Sequence, residues 1–433
     1  MKKVVLSLAG VLAAAAFAPE ASALPVFARQ TGMACSACHF QHFPMLNAFG
    51  RSFKSAAFTM VGAQGKIEGD RLSIPDTLNM AVLTTAGYEK TNVAPDASGV
   101  TKNGGNGVVY VPGTNGEFSL FVGGRVSENA GFLSEIGAIG AAALGSAKLP
   151  ILYPVGDSGA RIGVVPFTTD GQGASYGFET LNTGANAIHQ MSGVGGFNGA
   201  HGTMFSAQQY IGTGGFATGA ALVANSDMGF INVTKFHQAG PADLGGVGGS
   251  LGSTYLRAAY VFDMAGWDSA VGAQSWSGSS LSLDPAITAT AAMVDTKATA
   301  VDFQSMGAVG DMPLGVFVTY ARAPVTTTSA LGNAYNQGGT FTKSSFNVAA
   351  EIGIIPEVAT LQAAIRRSKS GVDIAGTGSN NSDNAIMVGA TYKLAQNMVA
   401  SLSYTSASGD YWTQAQTDAV GSKTTTINLF TLF

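Results

Sequence analysis

The sequence predicts an all-β transmembrane barrel of about 16 antiparallel strands, preceded by a small N-terminal α-helical segment. Charged residues are only 11% of the 433 positions, whereas hydrophobic residues are 46%. A soluble domain usually carries about 25% charged residues. Glycine occupies 58 positions, about twice its usual share. Short stretches of alternating apolar and polar residues recur over most of the chain, which is typical of strands with one side in lipid.

The composition also excludes several other classes of protein. The 24 Phe and 12 Tyr residues argue against intrinsic disorder, because disordered chains are poor in aromatic residues. Collagen is excluded because the sequence has no Gly-X-Y period. A helical membrane bundle needs apolar stretches of about 20 residues, and none follows the N-terminal region. The net charge of −4, without a basic cluster, predicts no nucleic acid partner.

The N-terminus has the pattern of a secretory signal peptide. Lys2 and Lys3 precede a mostly apolar run, and Ala21-Ser22-Ala23 forms a small-x-small cleavage site. The run is too short for a typical transmembrane anchor. We therefore expect residues 1–23 to direct export and to be removed.

The only two cysteines lie in the motif Cys35-Ser36-Ala37-Cys38-His39. C-x-x-C-H is the attachment motif of c-type haem, in which both thiols bind the haem vinyl groups. We expect one covalent haem c, with thioether bonds to Cys35 and Cys38 and with His39 as the proximal axial ligand of the iron. A thioredoxin-like redox pair would need a βαβ context, a disulfide would close a very small loop, and a zinc site would need two further ligands.

The motif belongs to a predicted haem segment, residues 24–69. Leu46, Phe49, Gly50 and Phe53 follow the i, i+3, i+4, i+7 spacing of an amphipathic helix. This aromatic face could pack on the haem or form ordinary core. A unit of this size usually needs additional stabilisation by a covalent link or by packing against other elements. Covalent haem or packing inside a barrel would provide it.

The distal haem ligand is less well determined by the sequence. His42 follows His39 by three residues, so on a helix it shares the proximal side. Met60 follows the predicted helix and is our preferred distal ligand, with Met45 as the second choice. Methionine also often fills gaps in protein cores, so Met60 could equally have that role. Arg29, Arg51 and Lys54 could pair with the haem propionates or be solvated.

From residue 70 to 433 the chain alternates as a transmembrane barrel does. Leu256, Ala258, Tyr260 and Phe262 share one face, opposite Arg257. The same alternation recurs in residues 346–354, where Asn347 and Glu351 are opposite the apolar face, and in residues 386–394. About 360 residues, at about 20 to 25 for each strand with its connection, give 14 to 18 strands, and we predict 16. Residues 181–226 contain no charged residue and fit neither strands nor a loop clearly.

The C-terminal segment Ile427-Asn428-Leu429-Phe430-Thr431-Leu432-Phe433 predicts the strand that closes the barrel. A terminal aromatic strand of this kind resembles the segment by which bacterial outer-membrane barrels are recognised for assembly. Closure removes the free sheet edges, which a lipid environment does not tolerate.

Residues 24 to about 80 resemble a known family. The matching text runs from Leu24 to His39 and continues through Pro44-x-Leu46-Asn47-x-Phe49-Gly50-Arg51-x-Phe53-Lys54. It is similar to the fused monohaem cytochrome–porins of iron-oxidising bacteria, the outer-membrane Fe(II) oxidases. The resemblance implies one haem c, a sixteen-stranded porin-like barrel in the outer membrane of a Gram-negative bacterium, and oxidation of extracellular Fe(II). Electrons would pass to a periplasmic cytochrome or other carrier.

Two other functions remain open at the level of sequence. The chain could be a diffusion porin plugged by the haem segment, or an electron conduit for another donor, such as reduced sulfur. Fe²⁺ would be held by carboxylates and imidazoles, for which Glu135, Asp263, Glu351, His189, His201 and His237 are candidates, but none is assigned as a ligand.

Overall fold

A computed structural model describes residues 25–70, 72–93, 107–137, 143–181, 205–241, 251–284, 287–288, 290–374, 376–414 and 421–433. The predicted signal peptide lies outside the described residues. Five short α-helices lie within these ranges: α1 (Pro25–Thr31), α2 (Cys35–Cys38), α3 (Ala48–Ser55), α4 (Ala207–Ile211) and α5 (Asp410–Gln414). Over the described ranges, none of the helices has the length and apolar character needed to span a bilayer.

Strands make up most of the described chain. They are β1 (Lys66–Gly69), β2 (Leu72–Pro75), β3 (Asn79–Thr91), β4 (Val108–Pro112), β5 (Asn115–Gly116), β6 (Phe118–Ser127), β7 (Ala130–Gly137), β8 (Ala143–Lys148), β9 (Ile151–Pro154), β10 (Arg161–Thr169), β11 (Ala217–Ser226), β12 (Gly229–His237), β13 (Ser253–Met264), β14 (Trp267–Ser282), β15 (Ala292–Asp295), β16 (Ala298–Val309), β17 (Met312–Ala323), β18 (Lys343–Ile355), β19 (Ala359–Lys369), β20 (Asn384–Ala395), β21 (Met398–Ser408) and β22 (Lys423–Leu432).

Apart from β1 and β2, these strands close into a single antiparallel barrel of 16 strands. Strands β8 and β9 together form one of the sixteen, and the short strands β4, β5 and β15 extend the rim. The barrel closes where β22 pairs with β3, from Thr424 opposite Thr91 to Leu432 opposite Leu83. The predicted fold class and the closing role of the C-terminal strand are both confirmed.

The two faces of the strands follow the predicted alternation. On β13, Leu256 and Tyr260 are exposed on the outside, whereas Arg257 is 1% exposed and faces the lumen. On β18, Phe346 and Val348 are exposed, whereas Glu351 is buried. Apolar side chains on the outside of a closed barrel form the band that lipid covers.

The two ends of the barrel differ in the length of their connections. Seven short connections lie at one end, all within described residues: 128–129, 155–160, 227–228, 265–266, 310–311, 356–358 and 396–397. Longer connections lie at the other end. Transmembrane barrels of this kind have short periplasmic turns and long extracellular loops, which assigns the short-turn end to the periplasmic side.

The N-terminal segment and the barrel meet differently from the sequence prediction. The first barrel strand begins at Asn79, whereas the predicted boundary was residue 70. Between them, β1 and β2 form a separate two-stranded hairpin. Arg125 of β6 holds this hairpin through its Nη2, which donates to the Ser73 hydroxyl at 2.7 Å.

Two parts of the chain occupy the lumen. The N-terminal helices fill the short-turn end, where Phe27, Phe53 and Phe58 pack against Ala81 of the wall. The described part of the β10–β11 connection, which carries α4, packs further inside. The two insertions meet, since Met45 of the first lies in one apolar cluster with Phe205 of the second.

Candidate functional site

The C-x-x-C-H motif forms a compact unit with α3. Both cysteines lie on α2 and form no disulfide, with Cys35 partly exposed and Cys38 buried. Asn47 supports this helix, because its Nδ2 donates to the carbonyl of Ala37 at 3.0 Å while its Oδ1 accepts from Gly50 N at 2.9 Å. Gly50 packs so closely that a Cβ there would lie 2.1 Å from the Cys38 carbonyl oxygen. Asn47 and Gly50 are positioning residues that sequence reasoning did not assign.

His39 follows α2 directly and is buried against the same unit. Its Nδ1 lies 3.1 Å from the carbonyl oxygen of Met45, and its ring meets that of Phe43 edge-on at 5.4 Å. Burial lowers the pKa of His39 to about 4, and the Met45 carbonyl opposes this only in part. The imidazole is therefore neutral at physiological pH, the form that ligates a metal.

The thiols differ from those of a redox-active pair. Burial, together with the neighbouring Cys35, raises the pKa of Cys38 to about 11. Reactive Cys-x-x-Cys pairs instead have a lowered pKa, because the thiolate is the attacking species. The structure thus disfavours the thioredoxin-like alternative.

The donor set fits a c-type haem on three counts. Two cysteines outside any disulfide lie on one helix, a neutral imidazole follows them, and the Nδ1 of that imidazole faces a backbone carbonyl. Metal-ligating histidines almost always donate their second ring N–H to such a partner, which fixes the tautomer and leaves Nε2 for the metal. The assignment of Cys35, Cys38 and His39 stays a prediction that this arrangement supports.

The two methionine candidates lie in different surroundings. Met60 is 37% exposed, and its carbonyl accepts from Gln30 Nε2 at 2.7 Å. Gln30 in turn binds β6, where its Oε1 accepts from Arg125 N at 2.9 Å. Met45 is buried beside Phe205 and Phe317. Across the described part of the chain no recorded contact joins Met60 to His39, so the distal ligand stays a prediction.

Charged and polar contacts fix the motif to the barrel wall. His42 Nε2 lies 2.5 Å from Glu351 Oε1 of β18, and Gln41 Nε2 donates to the carbonyl of Pro313 at 2.9 Å. Burial disfavours the protonated imidazole, but the Glu351 carboxylate outweighs it and raises the pKa of His42. A buried ion pair therefore connects the segment to the wall three residues after His39.

The basic residues of the segment also have protein partners. Arg51 forms two hydrogen bonds of 2.8 Å with Asp268 of β14, and Arg29 donates to the carbonyl of Met80 at 2.7 Å. Burial lowers the pKa of Lys54 to about 8, with Glu179 acting in the opposite direction. Arg51 thus anchors the segment to the wall, a role that sequence reasoning did not foresee.

The motif lies close to the short-turn mouth. Gln396, in the turn between β20 and β21, has its Nε2 3.8 Å from Cys35 Sγ, and the Phe43 ring stacks on that of Phe430 near the end of β22 at 5.7 Å. The cysteines therefore lie inside the barrel at its periplasmic end, rather than midway through the bilayer.

Above the segment, buried ion pairs fix the second insertion. Arg257 binds Asp302 and also Glu179 of the β10–β11 connection, at 2.5 and 2.9 Å. Tyr210 of α4 donates to Asp383 at 2.8 Å, and Arg366 binds the same carboxylate at 2.8 Å. These contacts hold the connection against the wall on both sides of the lumen.

Among the described residues, the candidate iron ligands do not form a metal site. Glu351 is engaged by His42, Thr360 and Gln362. The Ser119 hydroxyl donates to both Glu135 and Glu117. Within the described ranges, no group of three or more His, Cys, Asp or Glu side chains is arranged to hold a metal ion. His189 and His201 lie outside those ranges.

Comparison with known proteins gives structural matches without sequence matches. No protein-family model matches the chain, and no curated protein matches it significantly. The OmpF–daunomycin complex of Salmonella typhi aligns with 85% of this chain and 100% of its own, at 12% identity and a TM-score of 0.49. The outer membrane channel DcaP of Acinetobacter baumannii aligns over 82% of this chain and 97% of its own, at 11% identity and a TM-score of 0.44. The loop L8 deletion mutant of OmpT, an outer membrane protein of Vibrio cholerae, aligns over 82% and 99%, at 11% identity and a TM-score of 0.41. The chain's own strand order makes it a porin-like barrel of 16 strands, and these similarities concern that architecture alone.

Proposed function

We propose that this chain is an electron-transfer barrel of the Gram-negative outer membrane that oxidises extracellular Fe(II). One haem c would be held by Cys35, Cys38 and His39, and electrons would pass to a periplasmic carrier. The observation that carries the proposal is a C-x-x-C-H unit whose cysteines form no disulfide and whose histidine is neutral, fixed inside a closed transmembrane barrel.

The porin-like barrel by itself fits solute diffusion, and the case for electron transfer depends on the C-x-x-C-H motif. Two insertions occupy the lumen and are tied to the wall by the buried ion pairs of His42 with Glu351 and of Glu179 with Arg257. A diffusion porin of 16 strands has an aqueous channel. In this proposal the insertions occupy that channel, and haem c would be held within it.

The residues around the motif have positioning roles in this proposal. Met45 orients His39 through its carbonyl, and Asn47 and Gly50 hold α2. Haem c, when bound, supplies reversible one-electron exchange at its iron, with a potential set by its ligands and burial. Because each Fe²⁺ gives up one electron, no bound substrate is needed at the motif itself. Fe(II) as the donor rests on the resemblance of residues 24–80.

The test uses the purified, oxidised protein in lipid nanodiscs. Fe²⁺ is added anaerobically while the haem α-band is followed, and the Cys35→Ala/Cys38→Ala variant serves as control. We expect the α-band to develop in the wild type and covalent haem to be lost in the variant. Absence of covalent haem from the wild type would contradict the proposed cofactor. If dithionite reduces the haem and Fe²⁺ does not, Fe(II) is not the electron donor, and a donor such as reduced sulfur is favoured.

A diffusion porin with the segment as a plug is the second candidate. It is favoured by the porin-like barrel and by wall contacts, such as Arg51 with Asp268, that do not involve the cysteines. The measurement that discriminates it is ion conductance with and without the N-terminal segment.

A further inference from the structure

Lys54 differs from the other basic residues on the N-terminal helices, because it has no direct partner. Both Nη atoms of Arg51 are occupied by Asp268, and Arg29 donates to the carbonyl of Met80. Within the described ranges, no hydrogen bond or ion pair engages the Lys54 ammonium, although its side chain is only partly exposed. Withdrawing a charge from water without a partner is unfavourable. Lys54 is therefore the basic residue of these helices that is left to meet an anion.

The charged neighbours of Lys54 do not supply that anion directly. Glu179 attracts the Lys54 ammonium, but both of its oxygens already have donors. One accepts from Arg257 Nε at 2.9 Å and the other from Leu181 N at 2.8 Å. Lys148 of β8 is close enough for its ammonium to repel that of Lys54. An additional anion at this place would therefore reduce an excess of positive charge inside the lumen.

Lys54 also belongs to the unit that holds the C-x-x-C-H motif. Gly50 of α3 packs against the Cys38 carbonyl, and residues four apart lie on one face of a helix. Lys54 therefore follows one turn beyond that contact, on the same side of α3. In haem, the two vinyl groups and the two propionates lie at opposite edges of the macrocycle. The propionate edge of a haem held by the two cysteines thus points away from them, and Lys54 is the cation of this unit that can meet it.

We propose that Lys54 is a positioning residue that pairs with a propionate carboxylate of the haem c. The proposal rests on the proposed function for its cofactor, but not for Fe(II) as the electron donor. A hydrogen bond between an ammonium and a carboxylate is roughly twice as strong as a neutral one, so it fixes the orientation of the macrocycle. Burial alone lowers the pKa of Lys54 to about 8, and a carboxylate partner opposes this and keeps the ammonium charged. The cation in turn favours reduced haem, which carries one positive charge less than oxidised haem.

The test compares charged and uncharged substitutions in full-length protein in lipid nanodiscs. Lys54→Met and Lys54→Gln both remove the cation, whereas Lys54→Arg keeps it. Lys66→Met is the matched control in the same segment, since Lys66 already pairs with Glu68 at 2.6 Å in the β1–β2 hairpin. Heat-modifiable migration on gels verifies that each barrel is folded.

Two properties of the haem are measured. The reduction potential comes from spectroelectrochemical titration with mediators, and resonance Raman spectra give the bending mode of the propionates. We expect both neutral variants to shift that mode and to lower the ratio of reduced to oxidised haem about 10-fold at a fixed potential, which is about 59 mV for one electron. Lys54→Arg should restore both properties, and Lys66→Met should match the wild type. An unchanged propionate mode in the neutral variants overturns the proposal even if the potential falls, because a charge acts on the potential without contact.

A free carboxylate could satisfy the same ammonium, so the titrations are repeated with added acetate at constant ionic strength. If Lys54 holds a propionate, acetate should change neither the potential nor the propionate mode of the wild type. A fall in potential that depends on acetate in the wild type, and is absent from Lys54→Met, shows that the site takes a free anion and overturns the assignment.

Failure of this assignment is separable from failure of the proposed function, because mediators replace Fe²⁺ in the titrations. If Lys54 affects both properties of a haem that Fe²⁺ does not reduce, the positioning role is supported and the electron donor is rejected. If Fe²⁺ reduces the haem but the neutral variants match the wild type, the function is supported and the positioning role is rejected. A wild type without covalent haem rejects both.

Discussion

At the scale of single residues, the pair of His42 and Glu351 connects the candidate site to the wall. The pair is buried, with N and O 2.5 Å apart, and Thr360 and Gln362 also donate to Glu351. Because the pKa of His42 is raised on folding, the ion pair stabilises the fold fully below a pH of about 6.5, the ordinary pKa of histidine. It is lost as the pH rises through the folded value. The attachment of the N-terminal segment to the barrel wall should therefore weaken toward alkaline pH.

Removing one partner of this pair should destabilise the packing of the segment more than removing both charges. His42→Ala leaves the Glu351 carboxylate buried without its cation, which typically costs about 3 kcal/mol or more. His42→Ala/Glu351→Gln should recover a large part of that loss, because the amide keeps neutral hydrogen bonds. The measurement is the rate of trypsin cleavage at Arg29, Arg51 and Lys54 in the folded barrel. Equal cleavage of the single and double variants would show that the pair does not hold the segment.

At the scale of elements, two insertions share the lumen and fill different depths. The N-terminal helices hold the short-turn end through Arg51 and His42. The β10–β11 connection is held deeper by Arg257 and Asp383. The two insertions are far apart in the sequence but contact each other in the cluster of Met45 and Phe205. Removal of one insertion should therefore weaken the packing of the other.

Deleting residues 24–69 should raise the ion conductance of the barrel in planar bilayers, because it empties the short-turn end. The Cys35→Ala/Cys38→Ala variant keeps all the wall contacts and should conduct as poorly as the wild type. Conductance unchanged by the deletion would mean that the β10–β11 connection closes the lumen alone. High conductance in the wild type itself would favour the diffusion porin.

At the scale of the whole molecule, closure by β22 satisfies the edges of the sheet. The ladder from Thr424 to Leu432 pairs with β3, and Phe433 exchanges backbone hydrogen bonds with Val82 at 2.6 and 2.9 Å. An open edge in lipid leaves backbone groups without partners, at several kcal/mol each. The barrel is therefore stable only as a complete ring.

Truncation of residues 423–433 should abolish the folded barrel. It leaves the edges of β3 and β21 unpaired, so heat-modifiable migration on gels should be lost, and the protein should not insert. Phe433→Ala keeps the backbone ladder and should retain most heat-modifiable protein. Normal migration of the truncated chain would contradict the closure seen here.

The sequence by itself determined the fold class, because the alternation of Leu256 with Arg257 and of Phe346 with Asn347 reflects a period of two that only a strand provides. It also determined the candidate cofactor residues, since C-x-x-C-H is a local motif. It did not place the uncharged residues 181–226, of which the described part packs inside the lumen as α4 and ends in β11, nor the hairpin before Asn79.

Only the tertiary structure decided which residues fix the site. His42 with Glu351, and Arg51 with Asp268, join positions more than 200 residues apart. No local pattern records such a pairing, because it depends on the order and register of strands around the closed ring. Motifs and alternation are local consequences of backbone geometry, whereas the depth of the motif in the lumen follows from how the whole barrel closes around it.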